Sequence, residues 1–221
     1  MLRAVVRAVN SCRLAPESPC TLPRELAMAV GLGQVNIMGN KGPLRDTRPA
    51  QLPHKESGTR LRSQPLVLTH RFPTEVHRVG ELVDILLEAR ELDPKDAQEL
   101  GLALRELLLN AMEHGNLEIT FEAKSNALQQ GSWKRMLAER STSLPYRSRE
   151  THVTAHWTPD CVAFTIADQG KGFDWRALPD PTDPDNLLLD NGRGVLLARL
   201  SVDSLTYSEA GNVVTILKRL R

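Results

Sequence analysis

The stretch ELGLALRELLLNAMEHGN, from Glu99 to Asn116, decides the fold. Its apolar residues recur at intervals of three and four, which is the spacing of one face of an α-helix. An apolar stripe of this kind needs a packing partner, so the stretch predicts a helix that lies against the core. The stripe consists of Leu100, Ala103, Leu104, Leu107, Leu108 and Ala111.

The same helix carries a second, polar face. Glu106, Asn110, Glu113 and His114 fall at i, i+4, i+7 and i+8, so they are predicted to share one side. Asparagine is a poor former of helix interiors and is usually found at caps. Its position in the middle of this helix therefore indicates a functional role for the polar face.

Upstream of this helix, local signals predict a strand and a second helix. Leu66 to Phe72 alternates apolar and polar residues and ends at Pro73, which is typical of a half-buried strand. Thr74 is predicted to cap a packing helix that continues to about Glu91. Asp93 and the proline after it then form an N-cap and a first helical position for the central helix.

Downstream, the chain alternates between strand and helix signals. Residues 117 to 149 are polar and mixed, and they predict one or two short helices. The remaining predicted elements are a hairpin of strands Thr151 to Trp157 and Cys161 to Ala167, a helix from Val195 to Leu200, and strands Ser204 to Ser208 and Asn212 to Leu217. Together they predict a two-layer α/β sandwich, with helices on one face of a mixed, mostly antiparallel sheet.

Composition divides the chain into two parts. Of 221 residues, the first 65 hold 10 Lys/Arg against 4 Asp/Glu, whereas the rest hold 18 against 23. We interpret residues 1–64 as a basic extension, rich in Pro and Gly and largely disordered, and residues 65–221 as one domain. The arginine-rich start is typical of a mitochondrial presequence or of a plain basic tail, and we favour the tail.

The composition also excludes several classes of protein. No apolar run is long enough to span a bilayer, and the three cysteines lack the spacing of a metal site. The basic extension has no interleaved aromatic residues, which argues against nucleic-acid binding. We therefore expect a cytoplasmic protein without membrane or nucleic-acid partners.

The chemistry of the candidate site begins where a strand ends in DQGKG. Asp168 places a carboxylate at the edge of the sheet, and Gly170 and Gly172 allow the backbone to approach a flat ligand closely. A carboxylate there can accept a hydrogen bond from an exocyclic amine. This motif alone is more often a turn than a site, so its weight depends on the other motifs.

A second motif, Gly192-Arg193-Gly194, opens a predicted helix, whose free N–H groups and dipole favour phosphate. On the central helix, Asn110 offers a neutral oxygen to Mg²⁺, a hard cation that prefers oxygen ligands. Glu106 is one turn earlier and is placed to accept a proton in phosphoryl transfer.

In order, the motifs are ExxxNAxxHG, then DxGxGF about fifty residues later, then GRGxxL about twenty further on. This combination resembles the Bergerat-fold ATPases, which include DNA gyrase, the heat-shock chaperone, mismatch-repair ATPases and sensor histidine kinases. The close spacing is similar to that of the bacterial anti-sigma factor serine kinases. The resemblance covers Leu66 to Leu220 and sets off residues 118–149 as an insertion, called the insertion below.

The resemblance implies ATP and Mg²⁺ as ligands and a role for each motif residue. Asn110 would hold Mg²⁺ and Glu106 would be the catalytic base. Asp168 would bind the adenine amine, in a pocket shaped by Gly170 and Gly172. The phosphates would be covered by Gly192, Arg193 and Gly194, and adenine would be supported by Thr215, which matches the family more loosely.

The resemblance also implies a function. Such kinases phosphorylate a serine of an anti-sigma factor antagonist and thereby control a sigma factor by partner switching. Relatives often form dimers, so the resemblance leaves open whether this protein is a homodimer. Two alternatives remain: an ATP-gated protein-binding module without turnover, and the catalytic half of a sensor histidine kinase. The second ranks last because residues 1–65 contain too many helix breakers for the required helical hairpin.

Overall fold

The computed structural model describes residues 65–177 and 193–221, and the following account concerns these residues. Five strands form one sheet in the order β1-β2-β3-β5-β4, and each neighbouring pair among them is antiparallel. The strands are β1 (Leu66–Pro73), β2 (Glu150–Trp157), β3 (Cys161–Ala167), β4 (Ser204–Tyr207) and β5 (Val213–Arg219). The predicted first strand, hairpin and closing strands are confirmed.

Five α-helices complete the described part of the molecule. They are α1 (Val79–Leu87), α2 (Pro94–Leu109), α3 (Phe121–Gln129), α4 (Trp133–Thr142) and α5 (Arg193–Ser201). One apolar cluster joins α1, α2 and α5 to the strands, and it includes Leu86, Leu104, Ala198, Phe164 and Ile216. The predicted two-layer α/β sandwich is therefore confirmed. None of the described helices combines the length and apolarity needed to cross a membrane.

The central helix α2 begins as the sequence predicts. The side chain of Asp93 accepts a hydrogen bond from the backbone N–H of Lys95 at 2.9 Å, and Pro94 occupies the first turn. The predicted stripe is buried to 7% exposure or less along its whole length. After Leu109 the helix widens into a π-helical turn, Asn110–Asn116, a feature that is frequent at functional sites.

The prediction that Thr74 caps a helix is wrong. A short 3₁₀ turn, Val76–Arg78, precedes α1, and neither has a side-chain cap. The Thr74 hydroxyl instead donates to the backbone oxygen of Arg149 at 2.8 Å. The hydroxyl that the local sequence would assign to a cap therefore bonds to a residue 75 positions further along the chain. Helix α1 ends at Leu87 rather than near Glu91.

Strand β3 ends at the candidate site. Its first four residues, Cys161 to Phe164, are fully buried, as expected for a central strand of the sheet. It pairs with β2 on one side and with β5 on the other, and it ends immediately before Asp168. Residues 1–64 and 178–192, which include the predicted extension and Gly192, lie outside the described residues, so the predictions about them stay predictions.

Candidate functional site

A cavity of about 830 Å³ lies between α2, α3, the end of β3 and the start of α5. Its walls bring together residues that are far apart in the sequence, from the central helix, the DQGKG loop and the Arg193-Gly194 motif. The predicted site residues in the wall are Glu106, Asn110, Asp168, Gly172, Arg193 and Gly194. The cavity is therefore the place where the sequence motifs meet.

Three of the four residues on the predicted polar face of α2 line this cavity: Glu106, Asn110 and His114. The side chains of Glu106 and Asn110 have no hydrogen-bond or ionic partner within residues 65–177 and 193–221. An unpaired carboxylate and an unpaired amide in a cavity wall are available to a ligand. Glu113 is the exception, because it is buried beside the cavity.

The third residue of this face, His114, is fixed in one tautomer. Its Nδ1 lies 2.5 Å from the backbone oxygen of Ile119, and since a carbonyl only accepts, Nδ1 carries the proton. The ring also lies 4.1 Å from the ring of Phe121. Burial lowers the pKa of His114 below its usual value, which favours the neutral imidazole.

Glu106 lies directly against the start of α5. A Cβ atom on Gly194 would lie 2.5 Å from Glu106 Oε2, so a larger residue there would displace the carboxylate. The first N–H groups of a helix have no partner within the helix and favour an anion. The structure thus places a carboxylate that can accept a proton beside a helix end that can bind a phosphate.

Asp168 is held by backbone on two sides. Its Oδ1 accepts a hydrogen bond from the N–H of Gly170 at 2.8 Å, and Gly115 of the π-helical turn packs directly on the carboxylate. Burial raises the pKa of Asp168 to about 6, against the Gly170 hydrogen bond and the charge of Arg149, which both lower it. This carboxylate is therefore poorly solvated and well placed to accept from a ligand amine.

The glycines after Asp168 are needed for close backbone contacts. Gly170 packs on the backbone oxygen of Gly115, and Gly172 adopts φ +74° against the backbone oxygen of Ala210. The N–H of Phe173 then donates to the same Ala210 oxygen at 3.1 Å. Gly172 lies in the cavity wall and Gly170 does not, so their predicted role as shapers of an adenine pocket stays a prediction.

Sequence reasoning missed Asn116, which holds the DQGKG loop in place. Its side chain is fully buried, and its Oδ1 accepts from the N–H of Gln169 at 2.8 Å. Its Nδ2 donates to the hydroxyls of Thr74 at 3.0 Å and Thr151 at 3.1 Å. In the sequence, Asn116 is only an asparagine that follows a glycine, a pattern that is typical of a helix end.

Sequence reasoning also missed the contribution of the insertion. Helix α3 forms one wall of the cavity through Phe121, Lys124, Ser125, Leu128 and Gln129. The base of the insertion is tied together, because Arg149 lies 3.0 Å from Glu118 and donates to the backbone oxygen of Asn116 at 2.8 Å. The insertion is thus part of the site rather than an addition remote from it.

The structure does not bring Thr215 to the cavity. Its hydroxyl lies 3.1 Å from that of Thr165, on the sheet face opposite the helices, whereas its neighbour Val214 reaches the cavity wall. Strand residues alternate between faces, so an offset of one residue reverses the side. We therefore withdraw Thr215 from the candidate site, and at this end of β5 the wall is formed by Asn212 and Val214.

This fold and this cavity define a nucleotide-binding α/β sandwich. A model of the histidine kinase-like ATPase domain family matches residues 72–218, which is most of the chain. The chain therefore belongs to that family, which supports ATP as its ligand. No curated protein matches the chain.

The raised pKa of Asp168 predicts a pH-dependent affinity for adenosine. An amine donates to the ionised carboxylate, so calorimetry should show affinity rising between pH 5 and 7 with a midpoint of about 6. Adenosine is the probe because it lacks phosphates that titrate in this range. Asp168→Asn should bind weakly with no such profile, and His114→Gln should keep the profile; a flat profile in the unmodified protein would contradict the assignment.

The same shift acts in the opposite direction on stability. The pKa of Asp168 is about 6 in the folded protein and 3.8 when unperturbed, so the folded state retains a proton that the unfolded chain has lost. This contribution to the free energy of unfolding is present at low pH and is lost as the pH rises through about 6. Adenosine binds the ionised form of Asp168, which is more populated at pH 7. Bound adenosine should therefore raise the free energy of unfolding more at pH 7 than at pH 5.

Proposed function

We propose that the chain is a protein serine kinase that transfers the γ-phosphoryl group of ATP to an anti-sigma factor antagonist and so controls transcription by partner switching. One observation carries the proposal: the carboxylate of Glu106, which has no partner within the described part of the chain, lies against Gly194 in the cavity that also contains Asn110 and Asp168. Simple nucleotide binding has no need for an unpaired carboxylate beside a phosphate-binding helix end, whereas transfer to a hydroxyl requires a base there.

The proposed binding mode follows the arrangement of the cavity. Asp168 accepts a hydrogen bond from the adenine amine, and the N–H groups at the start of α5, around Arg193 and Gly194, bind phosphate. The unpaired amide of Asn110 offers an oxygen of the kind that Mg²⁺ prefers, so the residues present fit that ion. Bound Mg²⁺ would neutralise negative charge on the phosphates.

In the proposed transfer, Glu106 accepts the proton of the substrate serine hydroxyl. The serine oxygen forms a bond to the γ-phosphorus, and the bond from that phosphorus to its bridging oxygen breaks. ADP carries away the electron pair of the broken bond, and phosphoserine remains on the antagonist. Orientation and removal of one proton are the protein's tasks in such a reaction.

The test is incubation of the purified chain with Mg²⁺, γ-labelled ATP and antagonist proteins encoded beside it. We expect acid-stable label on a serine of one antagonist. Asn110→Ala should give no transfer and no calorimetric signal with Mg-ATP, because it removes the proposed metal ligand. Binding of ATP without transfer to any antagonist would favour the ATP-gated binding module, and acid-labile label on a histidine would favour the histidine kinase.

A further inference from the structure

We propose that Lys124, which is carried by the insertion, binds the phosphates of the nucleotide. The inference rests on the nucleotide binding of the proposed function and does not depend on which group accepts the phosphoryl. It gives the insertion a role in the ATP site and makes α3 a second source of phosphate contacts besides the start of α5.

The position of Lys124 is fixed by a buried partner. Its Nζ lies 2.5 Å from Glu113 Oε2, and the Glu113 side chain is only 5% exposed. Glu113 belongs to the π-helical turn that begins at Asn110, so the ammonium is tied to the helix that carries the proposed metal ligand. The ammonium also lies 5.4 Å from the centre of the Trp133 ring. Lys124 is thus positioned before any ligand binds.

The ion pair leaves Lys124 with hydrogen-bonding capacity. An ammonium has three N–H donors, and Glu113 accepts one of them. The Lys124 side chain is 30% exposed and lines the cavity, so the remaining donors are accessible from it. Glu113 can therefore hold the ammonium in place while a phosphate oxygen accepts from the same group.

The carboxylates of the cavity wall favour a phosphate contact from such a cation. Glu106, Glu118 and Asp168 contribute three carboxylates, which oppose the entry of a polyphosphate. The cations in the described part of the wall are Lys124, Lys171 and Arg193. Lys171 is 85% exposed and lies 3.8 Å from Glu118, so it is strongly solvated. Lys124 is better placed, because a buried carboxylate fixes it.

The experiment compares ATP with adenosine by calorimetry in Lys124→Met, with Lys134→Met as the matched control. Lys134 lies on the next helix, is exposed and is not part of the cavity wall. In Lys124→Met we expect ATP to bind about 10-fold more weakly and adenosine to bind within about twofold of the unmodified protein. The salt dependence of ATP affinity should also decrease, and the control should change neither ligand.

A second variant guards against misfolding, because Lys124→Met leaves Glu113 buried without a partner. The double variant Glu113→Gln with Lys124→Gln keeps a hydrogen-bonded pair without charge and should show the same selective loss of ATP affinity. Equal losses for ATP and adenosine, or none for either, would overturn the proposal and leave Lys124 with a structural role. A chain that binds ATP but transfers nothing would overturn the proposed kinase and leave this comparison intact.

Discussion

Replacement of Glu106 by glutamine is expected to lower the rate of phosphoryl transfer by about 10²- to 10⁴-fold, the usual contribution of a general base. Affinity for ATP should stay within about twofold of the unmodified protein. Glutamine keeps the size of the side chain and its approach to Gly194 but cannot accept the serine proton. Initial rates of antagonist labelling and calorimetry with Mg-ATP measure the two quantities separately.

Glu122→Gln is the control for the loss of one negative charge. Glu122 is exposed on α3 and is not part of the cavity wall. Its replacement should leave both the rate and the affinity unchanged. A Glu106→Gln variant that labels the antagonist at the normal rate would show that another group removes the proton, and the kinase mechanism would have to be reassigned.

The elements that could be predicted from sequence are those that depend on neighbours along the chain. The α2 stripe and the alternation of β1 follow from side-chain periodicity, and the cap at Asp93 follows from three adjacent residues. The order of the three motifs likewise predicted which residues would meet in one cavity. The stripe, the alternation and the cap depend on short-range geometry that the sequence carries directly, whereas the meeting of the three motifs was implied by the family resemblance.

The predictions that fail or are incomplete depend on residues far along the chain. Thr74 is hydrogen-bonded to Arg149, and Asn116 is hydrogen-bonded to both Thr151 and Gln169. No local sequence pattern indicates these pairs. Thr215 was misplaced because a shift of one residue along a strand exchanges its two faces.

Glu113 shows how a change of helix type alters a predicted face. Ideal α-helical spacing places it with Glu106 and Asn110, yet the chain forms a π-helical turn from Asn110 onward. A wider turn rotates the following side chains by a smaller angle per residue. Glu113 is consequently buried against Lys124 instead of lining the cavity, and the partner comes from an insertion whose packing the polar sequence did not reveal.

Gly115→Ala is expected to weaken recognition of the ligand base at Asp168 strongly. The new Cβ would lie 2.5 Å from Asp168 Oδ1, and Gly170 packs against the backbone oxygen of Gly115. The carboxylate must therefore move away from the position in which Gly170 holds it. We expect adenosine affinity to fall about 10- to 100-fold, the value of a hydrogen bond to a charged group, and overpacking to lower the free energy of unfolding by about 1–3 kcal/mol.

Gly101→Ala, the same substitution in the preceding α2 segment, is the matched control for Gly115→Ala. There the new Cβ would meet Leu87 Cδ1 at 3.7 Å and Val83 Cγ1 at 3.9 Å, which is ordinary contact. Alanine in a helix interior is about 0.5–1 kcal/mol more favourable than glycine, so this variant should be more stable and bind adenosine normally. Urea unfolding and calorimetry of both variants test the assignment. If Gly115→Ala bound adenosine as well as Gly101→Ala does, the ligand base would not be recognised at Asp168.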